Sequence, residues 1–363
     1  MTSLVPQPDP AAVCRLIPDH VLRNIAERGD AEQRRMALEA LASSGTMRSL
    51  RVQAEARRSV LPRSAMPELT ISLSPPTKER IIRDARNTTD LRAPIVRTEA
   101  GTASEDKTVE AAFERLGTTW DFFFQVYARN SIDKAGMAIE GVVHYRRNFD
   151  NAFWNGTQMV FGDGSGRLFT NLAQSLTVCG HELSHGVVQY DGPLVYQGQS
   201  GALNESMADV LGVLVEQWSL GQGVDRADWL VGREILAPGV TGQALRNLAE
   251  PGTAYDDDVL GRDPQPGHMD QYVETDEDNG GVHINSGIPN RAFTLAAKRL
   301  GGKAWEDAGR IWYASLGHER LLPTATFRQF ARITRYVAST LFGTGSRQVS
   351  AVEEAWSGVG VDL

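Results

Sequence analysis

Cysteine is scarce in this chain of 363 residues: only Cys14 and Cys179 occur, too few for a disulfide scaffold. No stretch approaches the 18 or more consecutive apolar residues of a spanning helix, so no membrane role is expected. The N-terminus, MTSLVPQPDPAAVCRLIPDHVL, lacks a basic start, an apolar run and a small-residue cleavage site. A Sec-type signal peptide is therefore not expected. Synthesis in the cytoplasm follows, with any export taking a non-classical route. A basic surplus is also missing. The formal net charge is −8, from 45 acidic and 37 basic residues, which argues against nucleic acid as a partner. Lysine is rare beside arginine, five against 32, and no function follows from that bias.

The apolar share is 41%, an ordinary globular balance, and the length allows two or three domains. Residues 18–43 carry helical periodicity interrupted at Gly29-Asp30, which predicts two short helices. Residues 43–77 are rich in Ser, Arg and Pro and read as an exposed linker open to cleavage. Residues 78–105 read as short strands and turns, followed by a helix at 107–129 and strand-like segments at 138–145 and 157–164. From Asn171 onward the chain reads as mostly helical, with helices at 173–190, 203–220, 287–299, 303–317 and 324–341. The expected division is a pro-segment at 1–50, a linker at 51–77, a β-containing lobe at 78–190 and a helical lobe at 191–363.

One segment carries chemistry. TVCGHELSHGVVQY contains His181-Glu182-Leu183-Ser184-His185. Two His four residues apart on a helix share one face, so both imidazoles can reach one metal ion. The Glu beside them has the position of a general base, the physical content of H-E-x-x-H. Such a site needs a third protein ligand. Glu205, in SGALNESMADVLG, sits near the first turn of a second helical pattern and is the candidate. Asp209, one turn further, is placed to hold the outer N–H of a ligand His. Cys179 reads as a small buried residue pointing away from the metal, and a Cys14–Cys179 disulfide has no motive.

HELSH followed by NESMAD resembles the thermolysin-like zinc metalloproteases, in which two His and a Glu hold the catalytic zinc. The resemblance extends over roughly 80–363. It implies an α+β, two-lobe fold: a β-rich N-terminal lobe, a helical C-terminal lobe and the active-site helix between them. It implies an endopeptidase that uses one Zn²⁺ and takes proteins and peptides as substrates. NAFWNG at 151–156 matches the family's substrate-edge strand, implying that Asn151 and Ala152 hold the substrate. Tyr196 in LVYQ matches the active-site tyrosine. Arg246 in ALRNLAEP matches the arginine that binds a substrate carbonyl. DNGGVHINSGIPNRAF supplies His283 and Asp278, an oxyanion donor and its orienting carboxylate. Phe169, Leu172, Val178 and Leu245 match an apolar pocket, implying a bulky hydrophobic residue just after the cut.

Cys14-Arg15-Leu16-Ile17-Pro18 resembles the core of the short pro-segments in protealysin-type precursors. The implied partner is the enzyme's own pro-segment, with Cys14, Ile17 and Pro18 in its inhibitory core. Either the Cys14 thiolate occupies the open zinc position or the segment blocks the cleft by packing alone. A monomer is expected. Thermolysin's paired calcium site is expected to be absent, because Thr177, Leu230 and Arg233 stand at matching positions while Glu216 and Asp228 remain. Arg233 should pair with Glu216 or Asp228. A single calcium ion near Asp256-Asp257-Asp258 is weaker than the reading of a solvated acidic loop. A zinc aminopeptidase is the alternative enzyme. Its expected Gly-x-Met-Glu-Asn segment is not matched by GMAIEG at 136–141. A latent, protein-binding precursor is the non-enzyme alternative.

Overall fold

A computed structural model describes residues 16–42 and 76–363. Cys14 lies outside the described residues, so the thiolate expectation is not addressed by the fold.

The chain first forms helix α1 (Asp19–Arg28), with Val21, Leu22 and Ile25 on its buried face. Helix α2 spans 31–42. The break is local: Gly29 is extended, and Asp30 caps the second helix. Its Oδ1 accepts from Glu32 N and Gln33 N, both at 3.0 Å, while Gln33 Oε1 accepts from Asp30 N.

Five strands make the sheet: β1 (Arg80–Asp84), β2 (Ile95–Thr98), β3 (Ile139–Val143), β4 (Ala152–Trp154) and β5 (Gln158–Phe161). Their order is β2-β1-β3-β5-β4. The central pairs β1–β3 and β3–β5 are parallel and the outer pairs antiparallel. A parallel pair needs a crossover, and helix α3 (Lys107–Tyr127) supplies it between β2 and β3. Asp106 caps that helix by accepting from Thr108 N and Val109 N. β4 is an edge strand, paired on one side only with β5.

His144, just after β3, staples this lobe together. Its Nδ1 is 2.8 Å from Asp163 and its Nε2 3.0 Å from Asp106. The Asp163 hydrogen bond leads the causes that raise its pKa to about 9, against the pull of burial. The folded state therefore binds this proton more tightly than the unfolded chain. The resulting stability is complete below about 6.5 and is lost as pH rises through about 9. Urea melts at pH 6.5 and 9.5 should differ for the parent by a His144 contribution on the order of 1 kcal/mol, allowing for solvent screening. His144→Gln should remove that part of the difference. An identical pH dependence in the variant contradicts the assignment.

The remaining helices are α4 (Leu176–Asp191), α5 (Gly198–Ser219), α6 (Asp278–Asn285), α7 (Gly287–Leu300), α8 (Asp307–Leu316), α9 (Phe327–Phe342) and α10 (Arg347–Ser357). Helix α5 begins five residues before its apolar periodicity does, so Glu205 lies well inside it rather than near its first turn. Two helices were not expected. Four left-handed residues precede the regular turns of α6, and its Asp/Gly-rich sequence reads as a loop. α10 is short and buries one face through Val349, Val352 and Trp356. Among the described residues no helix is long and apolar enough to cross a membrane.

Helices α4 and α5 approach closely because neither has a side chain at the crossing. A Cβ on Gly212 would stand 2.8 Å from Thr177 O and 2.9 Å from His181 N. Gly180 faces it, 3.0 Å from the Gly212 Cα by the same construction. This contact delivers residues of α5 to the functional face of α4.

Candidate metal centre

His181 and His185 lie one turn apart on α4, both fully buried, with ring centroids 4.6 Å apart. Their Nε2 atoms are 3.0 Å apart. The opposite nitrogens fix the tautomers. His181 Nδ1 is 2.8 Å from Asp209 Oδ1, and His185 Nδ1 is 2.9 Å from Asn204 Oδ1. Both partners are acceptors, so each Nδ1 carries a proton and each Nε2 presents its lone pair. Glu205 completes the group, its oxygens 3.6 Å from His181 Nε2 and 3.7 Å from His185 Nε2. The three ligand atoms lie within 4.8 Å of one another and all three residues are buried. Two imidazole lone pairs converging beside a buried carboxylate fit a divalent cation, and an N₂O set of this kind suits zinc.

Asp209 is itself held. Arg246 Nε donates to both of its oxygens at 2.9 Å, and Asn290 Nδ2 donates to Oδ2 at 2.9 Å. Burial opposes ionisation of this carboxyl, but Arg246 and His181 outweigh it and hold the pKa low. Burial likewise opposes ionisation of Glu205, and the charges of His283, His185, His181 and Arg246 bring its pKa down to about 2.

Glu182 lies on α4 next to this group and is fully buried. Its Oε2 accepts from Trp154 N at 2.9 Å, while Oε1 has no hydrogen-bond partner among the described residues. Burial leads the causes that push its pKa well above the usual carboxylate range, with Glu205 adding to it. A carboxylate of raised basicity with one oxygen open is suited to taking a proton.

On the far side stand Tyr196 and His283. Tyr196 Oη donates to Glu205 Oε1 and is 3.2 Å from His283 Nε2. His283 Nδ1 is 2.6 Å from Asp278 Oδ1, and its backbone N donates to Asp278 Oδ2 at 2.9 Å. The left-handed backbone of 278–281 brings both carboxylate oxygens back onto His283. Burial would lower the His283 pKa, but Asp278 and Glu205 raise it to about 9. Gln265 Nε2 donates to His283 O at 2.8 Å and so fixes this turn from behind.

The N-terminal segment fills the cleft between these groups. Leu16 and Ile17 are fully buried. Leu16 N donates to Ala152 O at 3.3 Å, on the open edge of β4. Leu16 O accepts from Arg246 Nη1 at 3.1 Å. Asn151 brackets the next residue: its Oδ1 accepts from Ile17 N at 3.0 Å and its Nδ2 donates to Ile17 O at 3.2 Å. Pro18 follows as the residue preceding α1.

Phe169, Leu172 and Val178 are fully buried in the main core, and Leu245 lines a small cavity beside Pro18 and Arg246. Cys179 is buried, and burial pushes its thiol up to about 12. In the chain that follows α5, Arg233 pairs with Asp228, and Thr177 Oγ1 in the first turn of α4 accepts from Gly232 N at 2.9 Å. Glu216 is not the Arg233 partner; burial, with Glu234 and Asp228 nearby, raises its pKa to about 7.

Asn204, Asn290 and Gln265 were missed from sequence. Each acts on a residue of another segment, and only the adjacency of Asn204 to Glu205 hinted at one of them.

Comparison with known proteins gives a consistent set of likenesses. Residues 71–189 match the model of the thermolysin metallopeptidase catalytic domain, and residues 192–361 that of the thermolysin metallopeptidase alpha-helical domain. An extracellular metalloprotease of Pectobacterium carotovorum subsp. carotovorum is 45% identical over 351 residues, covering 97% of each chain. Protease PrtS of Photorhabdus sp. (strain Az29) is 47% identical over 289 residues, 79% of this chain and 77% of its own. The solved precursor of protealysin, a metalloproteinase from Serratia proteamaculans, matches with a TM-score of 0.85 and 44% identity. That match covers 96% of this chain and 99% of the other.

Proposed function

The chain belongs to the thermolysin metallopeptidase family, as a zinc-dependent endopeptidase made with a pro-segment, and we propose that it cuts ahead of bulky apolar residues with Glu182 as base. When bound by His181, His185 and Glu205, the ion supplies a Lewis acid that polarises the scissile carbonyl and acidifies water. Glu182 Oε1 takes the proton of the attacking water and returns it to the leaving amine. Tyr196 and His283 donate hydrogen bonds to the oxygen that becomes negative, and Asp278 keeps the His283 ring oriented. Tyr196 must leave its Glu205 contact to do so. Arg246 binds the carbonyl after the cut, with Asp209 holding its guanidinium in place. Asn151 and Ala152 take the substrate as an added strand.

The observation that carries this reading is the pairing of Leu16 and Ile17 with Ala152, Arg246 and Asn151. Those backbone bonds are the ones a substrate needs on its leaving-group side. Leu16 then stands for the first residue after the cut and Ile17 for the second. A branched apolar residue at the first position agrees with a pocket made of Phe169, Leu172, Val178 and Leu245. Residues 1–50 act as the pro-segment, with 16–42 as its inhibitory unit, 51–77 as linker, 78–190 as the first lobe and 191–363 as the second. The Leu16–Ile17 contacts support a block of the cleft by packing and backbone pairing.

An N-blocked peptide with Leu in the middle tests the reading. An endopeptidase cuts it on the amino side of Leu. An aminopeptidase leaves it intact, and that result removes the proposal. The extracellular names of two relatives support action outside the cell.

We also propose that the paired calcium site of thermolysin is absent. Arg233 pairs with Asp228, one of the two carboxylates that remain at the matching positions, so a cation stands where a ligand would be needed. A calcium chelator that spares zinc should shift the melting temperature by no more than about 2 °C. A sharp drop, reversed by added calcium, contradicts the proposal.

A further inference from the structure

His20 is the second residue of α1, where the extended stretch Leu16–Pro18 turns into helix. Its Nε2 is 3.2 Å from Tyr255 Oη, and its Nδ1 is buried without a hydrogen-bond partner among the described residues. With Pro18 and Val21 it closes a small cavity whose facing walls include Arg246, Asp263 and His283. This ring is thus part of the seal over the catalytic groups while belonging to the pro-segment.

We infer that His20 is an acid-sensitive latch, whose protonation drives the pro-segment out of the cleft.

The geometry asks for a neutral ring. An imidazolium has two N–H donors, and among the described residues only the Tyr255 oxygen lies within hydrogen-bond distance of the ring to accept one. The second would be buried unpaired, at a cost comparable to a lost charged hydrogen bond. The surrounding charges add to this. Arg246 faces the ring from the short strand Arg246–Asn247, His283 from α6, and Arg23 from its own helix. Asp278 pulls the other way, but both of its oxygens are engaged with His283. Asp263 is turned to the backbone N–H groups of Gly252, Ala254 and Gln265. Arg23 pairs with Glu277 at the rim.

Burial is the leading cause that lowers the His20 pKa from 6.5 to about 4, and Arg246, His283 and Arg23 reinforce it against Asp278. The docked state therefore binds fewer protons than the released one. Docking is full above about 6.5 and weakens as pH falls toward 4. Between pH 7 and pH 5 the release equilibrium should move by about twentyfold. The latch rests on the reading of residues 16–42 as the inhibitory unit. That reading is checked separately, by comparing peptide hydrolysis by the wild-type precursor and the processed enzyme at pH 7.

Hydrogen exchange on the full-length precursor tests the latch, with Glu182→Gln in the background to prevent self-cleavage. After correction for intrinsic rates, amide protection in α1 should fall by about twentyfold from pH 7 to pH 5. In His20→Gln, which keeps a partner for Tyr255 but does not titrate, it should fall by no more than about threefold. Flat protection in the parent, or a parallel fall in the variant, overturns the proposal. Should His20→Gln undock at pH 7 already, the His20 ring proton decides by NMR in the parent precursor. A titration midpoint well below 6.5 supports the latch, and one at or above 6.5 overturns it.

Discussion

Glu182→Gln, in processed enzyme loaded with zinc, should lower kcat on an N-blocked Leu peptide by at least about a thousandfold while leaving one zinc bound. The substitution keeps the volume and the acceptor that takes the Trp154 N–H. It removes only the ability of Oε1 to accept a proton. Glu182 lies beside the metal ligands, not among them, so metal content should not change. KM should stay within a few-fold, because Asn151, Ala152 and Arg246 bind substrate and are untouched. A variant that retains a tenth of parent activity, or that loses its zinc, contradicts the role given to Glu182. A simple structural role is excluded if the variant melts at the parent temperature. Loss of zinc on that substitution would instead point to a fourth ligand.

Leu16→Asp should break latency in the precursor. Leu16 is fully buried, and its replacement places a carboxylate in the cleft next to an apolar pocket. An unpaired buried carboxylate costs several kcal/mol, so docking should weaken on the order of a hundredfold. Initial hydrolysis rates, read before any linker cleavage is visible on a gel, should rise toward those of the processed enzyme. Leu38→Asp is the matched control, since Leu38 is 57% exposed on α2. It should leave the precursor as latent as before. Where Leu16→Asp gives no soluble protein, Leu16→Ala should give the same trend at a cost of about 2–5 kcal/mol. Unchanged latency in both Leu16 variants would mean that α1 and α2 hold the cleft shut without the Leu16–Ile17 pairing.

Local patterns carried much of the fold in the sequence. The His181–His185 spacing and the apolar periodicity of α3, α7 and α9 depend on neighbours a few residues away, and they read directly. The Gly29-Asp30 break between α1 and α2 reads for the same reason. What was hidden depended on distant contacts. The start of α5 lies in Gly198–Gly201, where Gly201 packs against Tyr196 and Val282 with no room for a side chain. The α6 turn needs Asp278 in a left-handed conformation, stabilised by bonds to His283 that no periodicity reveals.

The site was legible in two steps. Glu182 and the metal-binding pair followed from helix geometry alone. Tyr196, His283, Asp278 and Arg246 came from resemblance, and the fold brings all four to the same cleft. Asn204, Asn290 and Gln265 escaped both routes, because a polar residue that braces another segment has no local signature. The charge swap at Arg233 could be read as a pairing, but not which carboxylate it would choose. Asp228 takes it, in the same loop.

The most direct measurement is hydrolysis of an N-blocked peptide containing one central Leu by the zinc-loaded chain, before and after the pro-segment is cut away. The account predicts a latent precursor, strong cleavage on the amino side of Leu after removal, and loss of that activity on chelation with recovery on added zinc. A precursor as active as the processed form, or cleavage that requires a free amino terminus, would contradict it.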